Sequence, residues 1–104
     1  MARVIVEQVF TEPMTDERYS AFSKAVDPCL EMRRGLWRRS TLSTDKLRMT
    51  CEFEAPDAGS VRDALRSAGV EFVRVWTADV FAIEDYPDLM KKLAALLEEN
   101  AKAI

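Results

Sequence analysis

The chain contains no histidine. That absence removes the commonest general base near neutral pH and the commonest metal ligand. It excludes Ser-His-Asp and Cys-His catalysis outright, so any proton transfer falls to Asp, Glu, Lys, Tyr or Cys. Cysteine is scarce as well: Cys29 and Cys51 stand far apart with no C-x-x-C spacing. In a cytosolic setting such cysteines are thiols that pack as small hydrophobes. With imidazole missing and the thiols scattered, no tight nickel or zinc site is expected within one chain. No EF-hand spacing is present either, and the residues themselves point to no cofactor.

Other absences narrow the class. Three glycines and four prolines in 104 residues are too few for a disordered chain. No apolar run approaches the roughly 20 residues that span a bilayer. The opening "MARVIVEQVF" reads as neither signal peptide nor membrane helix, so a soluble, cytoplasmic protein with no membrane partner is expected. A basic surplus is lacking too: 18 acidic against 15 basic residues give a net charge of −3, which argues against a nucleic-acid partner.

What is present is one domain's worth of patterned hydrophobic sequence, at 48% of residues. "RVIVEQVF" (3–10) is β-branched and predicts a strand. Thr15 is placed to cap a helix through "DERYSAFSKAV", with Tyr19, Phe22, Val26, Cys29 and Leu30 on one face. Pro28 predicts a kink or restart, and Gly35 a stop. "LWRRSTL" (36–42) predicts a second strand. "LRMTCEFE" (47–54) predicts a third, alternating Leu47, Met49, Cys51 and Phe53 against Arg48, Thr50, Glu52 and Glu54. A helix follows through "SVRDALRSA", where Ser60 and Asp63 form a weak capping box and Gly69 ends it. Residues 72–83 predict a fourth strand. The segment "DYPDLMKKLAALLEENAKAI" predicts a last helix with Leu89, Leu93, Leu96 and Leu97 in a stripe.

The order β-α-β-β-α-β is that of a ferredoxin-like α+β domain, residues 1–84, carrying an extra C-terminal helix at 85–104. Two helices cover one face of such a sheet and leave the other open. Val4 and Val6 should face the helices, and Ile5, Glu7 and Val9 the open side. Thr50 and Glu52 join them there. With Leu36 and Leu42 assigned to the core, Trp37 and Arg39 fall on the open side and Arg38 opposite. Trp76 adds to the open side if the phase of strand four allows. Glu54, at a strand end, should be solvated. Such a face is too apolar to stay bare. A second copy of the chain, as a homodimer, or the C-terminal helix, in cis or on a partner, would cover it.

"MRRGLWRRST" (32–41) gathers four arginines around a tryptophan. Strand alternation splits them, which weakens a nucleic-acid surface further. The remaining constellation has named roles. Glu52 or Glu7 would act as acid or base. Arg39 would anchor an anionic group of a small-molecule ligand, and Trp37, Trp76 and Thr50 would shape the pocket. The structural alternatives are a cross-strand Arg39–Glu52 ion pair and tryptophans that only pack, in an assembly protein with no ligand.

"CEFEAPDAGSVRDALRSAGVEFVRVW" (51–76) carries a family likeness. Cys51, Glu54, Ala55, Pro56, Asp57 and Ala58, then Ala68, Gly69, Arg74, Val75 and Trp76, resemble the pattern C-x-Y-E-A-P-D-A…A-G…R-V-W. Phe53 stands where tyrosine is usual. The pattern is that of small bacterial ferredoxin-like proteins of unknown function, also described as nickel-binding proteins. The resemblance covers about residues 3–83. It implies a ferredoxin-like subunit that pairs into a dimeric α/β barrel, with metal binding as the alternative function. Related dimeric barrels include cofactor-free monooxygenases, cyclases and isomerases, so acid–base turnover of a small, anionic organic molecule is the enzymatic reading. The long C-terminal helix departs from the family core.

Overall fold

A computed structural model describes residues 1–102. Four strands, β1 (Ala2–Val9), β2 (Leu36–Leu42), β3 (Arg48–Ala55) and β4 (Arg74–Ala78), form one antiparallel sheet in the order β2-β3-β1-β4. Helices α1 (Asp16–Glu31) and α2 (Ala58–Ser67) cross between them. A 3-10 turn at Ile83–Asp85 leads into α3 (Pro87–Lys102). This is the α+β order read from the sequence, with the extra helix. Ala103 and Ile104, the end of the expected helix, lie outside the described residues.

Alternation builds the core. Val4 and Val6 of β1, and Met49, Cys51 and Phe53 of β3, are buried against Val26 and Leu30 of α1 and Val61 and Leu65 of α2. Val75 of β4 joins them, which fixes the phase of that strand and turns Trp76 to the open side. Thr15 caps α1 as expected, accepting from the Arg18 N–H at 3.1 Å.

Several local expectations are corrected. Pro28 does not restart α1, which runs unbroken through it to Glu31; it sits at an exposed position in the last turn, where it removes one helical donor. The left-handed residue closing α1 is Arg34 (φ 57°), not Gly35. Gly35 is favoured by packing instead: a Cβ there would stand 3.0 Å from Leu30 Cδ2, so that buried side chain would have to give way. The cap of α2 is Asp57, whose Oδ1 accepts from both the N–H (2.7 Å) and the hydroxyl (2.9 Å) of Ser60. These two donors hold its carboxyl below the usual range. The fourth strand is shorter than 72–83, because the chain leaves the sheet after Ala78.

Among the described residues α3 touches the Ile83–Asp85 turn and no other element. The molecule is therefore long, 48 × 32 × 20 Å, with a radius of gyration of 16.6 Å against about 13 Å for a compact chain of this length. No helix among the described residues is long and apolar enough to cross a membrane.

Candidate functional site

The open face is laid out by register. Ile5 lies between Glu52 of β3 and Trp76 of β4, Glu7 between Thr50 and Arg74, and Arg3 between Glu54 and Ala78. Same-face neighbours on adjacent strands are close enough to pair. Arg3 Nε donates to Glu54 at 2.9 Å and its Nη1 to Glu52 at 2.7 Å. Arg74 Nε stands 3.5 Å from Glu7.

One residue on β2 changes the rest. Trp37 pairs with Phe53, but Arg39 pairs with Glu52, the next position on β3, so Arg38 is extra. A β-bulge of this kind breaks the two-residue period. Trp37 thus points to the helices while Arg39 points to the open side, and the two do not share a face as the sequence predicts. Arg38 joins Arg39 on the open side, 3.9 Å from Glu54, which corrects its placement opposite. Arg39 Nε reaches Glu52 at 3.3 Å. Leu36, opposite Glu54, lies on the open face and is not core; Leu42 lies opposite Met49, still 38% exposed. Glu54 is held by Arg3 and is not simply solvated.

Glu52 is the nearly buried centre of this group, 8% exposed. Each of its carboxylate oxygens accepts from a different arginine, Arg3 or Arg39. Arg3, Arg38, Arg39 and Glu52 line an open cleft of about 570 Å³ together with Trp37, Glu84 and Asp85. That size suits a small ligand. Glu7, Thr50 and Trp76 lie on the same face but outside the cleft. Trp76 is 41% exposed. Sequence reading missed Arg3, although its place two residues before Ile5 on a strand was signal enough. The bulge at Arg38 left no readable mark.

Trp37 closes an aromatic cluster under the helices, with ring centroids 5.0 Å from Phe22, 5.2 Å from Phe53 and 5.8 Å from Tyr19. Its Nε1 donates to Ser40 Oγ at 3.0 Å, as does the Tyr19 hydroxyl at 3.1 Å. Both acceptor positions of Ser40 are then filled, so its own proton goes to Cys51 Sγ at 3.2 Å. Burial pushes the Cys51 thiol up to about 11, against the Ser40 bond, which lowers it. The thiol stays neutral in the fold while the unfolded chain begins to ionise near 9.0. Stability from this group is present in full below pH 9 and is lost as pH rises toward 11, by on the order of 1–2 kcal/mol. Denaturant titrations across this range should show the decline in the native chain and a shallower one in Cys51→Ala. Equal slopes would contradict it.

A sheet of this order with both crossing helices on one side defines a ferredoxin-like α+β protein. Residues 4–77 match the model of the family described as nickel responsive protein SCO4226-like, and the chain belongs to that family. The crystal structure of SCO4226 from Streptomyces coelicolor A3(2) superposes with a TM-score of 0.70 at 14% identity, covering 78% of this chain and 100% of that one. No curated protein matches the chain.

The donor chemistry does not fit the metal in the family's description. The chain has no imidazole, Cys51 is sealed in the core, and Cys29 on α1 is half-buried against that core. Among the described residues no group of three or more Cys, Asp or Glu side chains is placed to hold a metal ion. Titration calorimetry with Ni²⁺ should therefore show no saturable site on one chain; a stoichiometric isotherm would overturn this.

Proposed function

We propose that the protein binds a small organic anion in the arginine-lined cleft of its open sheet face, and that a second copy closes that face as a dimeric α/β barrel. The observation that carries this is the bulge, which brings Arg38 and Arg39 to the side where Arg3 already stands. On the sheet side three guanidiniums face two carboxylates, so an anion contact is local to the arginines, while Glu84 and Asp85 offset that surplus over the cleft as a whole. Arg39 is the anchor: its side chain is 66% exposed and its ion pair with Glu52 runs through Nε, leaving the outer edge of the guanidinium for a ligand. Glu84 and Asp85, also in the lining of the cleft, fit a hydrogen-bond donor on the ligand. Trp76, 41% exposed, supplies apolar surface that a second copy covers, while Ile5 beside it is only 9% exposed. In its enzymatic form, a cyclase or isomerase type, this reading gives proton transfer to Glu52 or Glu7, because no histidine is available. Trp76 and Thr50 then line the enclosure made by the pair of sheets.

The test uses 4-hydroxybenzoate, a planar acid with a donor at its far end, followed by tryptophan fluorescence. Saturable binding is expected in the native chain. Arg39→Ala should weaken it by about tenfold or more, the value of one charged hydrogen-bond contact, with an unchanged sedimentation coefficient. Absence of binding, or an Arg39→Ala variant that binds as tightly, would overturn the assignment.

A further inference from the structure

The cleft holds charges of both signs that do not meet. Glu84 and Asp85 are neighbours in the turn at Ile83–Asp85, both exposed, and both line the cleft with Arg3, Arg38, Arg39 and Glu52. Among the described residues neither of these two carboxylates has an ion pair or a side-chain hydrogen bond. The arginines are engaged on the sheet instead, Arg3 and Arg39 with Glu52 and Arg38 with Glu54. Over the lining, three guanidiniums stand against three carboxylates. A plain anion therefore gains at the arginines and loses to Glu84 and Asp85, since attraction and repulsion fall off with distance in the same way. A ligand with both signs gains at both.

We propose that the ligand is a zwitterion of the amino-acid type, its carboxylate on Arg39 and its ammonium on Glu84 and Asp85, an assignment that rests on the cleft being the binding site. Three features favour a cation over a neutral donor beside the acidic pair. The two carboxylates sit in one turn and repel each other, and a single ammonium relieves both. It brings three donors and no acceptor, whereas a hydroxyl brings one donor and turns lone pairs toward the carboxylates. A hydrogen bond from a charged donor is also about twice as strong as a neutral one. No lysine lines the cleft to supply that charge from within the chain. Leu36, Val80 and Ala82, in the same lining, give the body of the ligand an apolar surface.

Two benzoates separate a zwitterion site from an anion site. 4-(Aminomethyl)benzoate carries the ammonium, and 4-methylbenzoate has the same ring and carboxylate without it. Each is titrated into the native chain by calorimetry. The aminomethyl compound is expected to bind about tenfold more tightly, the value of one charged hydrogen-bond contact. The same titrations are run on a double variant, Glu84→Gln with Asp85→Asn, which keeps the shape of both side chains and removes both charges. There the preference for the aminomethyl compound should disappear. Equal binding of the two compounds by the native chain, or a preference that survives in the double variant, overturns the zwitterion assignment and leaves the arginine cleft standing. Binding of neither compound overturns both readings.

Discussion

Trp37→Ala is expected to cost the fold about 3 kcal/mol, a fall of roughly 15 °C in Tm for a domain of this size. The indole is packed against Phe22, Phe53 and Tyr19, and its N–H is one of two donors that fill Ser40. Truncation opens a cavity beneath α1 and frees an acceptor position on a part-buried hydroxyl. Trp37→Phe keeps most of the ring volume and loses only the donor, so about 1 kcal/mol is expected. Were the indole turned to the open face, as alternation alone predicts, alanine would leave stability nearly intact. Thermal and urea unfolding of the two variants decide between these. A loss below about 1 kcal/mol for alanine would contradict the packed placement.

The second large effect is at Glu52. Alanine there removes the carboxylate on which Arg3 and Arg39 converge. Breaking a fully buried pair from one side costs about 3–5 kcal/mol. Here Arg39 is largely in water, and Arg3 keeps Glu54, so the expectation falls to about 2 kcal/mol. Glu52→Gln retains an acceptor oxygen and should lose about half of that. The same alanine variant should bind 4-hydroxybenzoate differently, because Arg39 loses the group that orients it. A Glu52→Ala protein as stable as the native one would mean that the arginines are held by something else.

The element order was legible because each strand and helix carries its own period. β3 alternates without a fault, so Glu52 and Thr50 were placed on the open side from sequence alone, and so were Ile5 and Glu7 on β1. The phase of β4 was not legible, since apolar residues occupy both of its faces; only the burial of Val75 settles it. β2 misled for a different reason. Its alternation is real on each side of Arg38 but changes phase there, and a bulge depends on the partner strand, which local sequence does not contain. The capping of α2 was misread by three residues because Asp57 and Ser60 are both good caps. The Ser60 hydroxyl is itself spent as a donor to Asp57, which leaves the earlier residue as the cap. Pro28 shows the limit of a strong local rule: near a helix end the missing donor concerns a single carbonyl that water can serve.

Arg38 makes β2 a strand of two parities. Ahead of it, the even-numbered Leu36 looks outward and the odd Trp37 inward; beyond it, the odd Arg39 looks outward and the even Ser40 inward. Excising that one residue would leave an unbroken alternation, Trp37 inward, Arg39 outward and Ser40 inward, so the aromatic cluster and the Arg39–Glu52 pair would keep their sides and only the Arg38 guanidinium would go. The inserted peptide unit thus lets two consecutive arginines stand on one face of β2, where strict alternation has room for one.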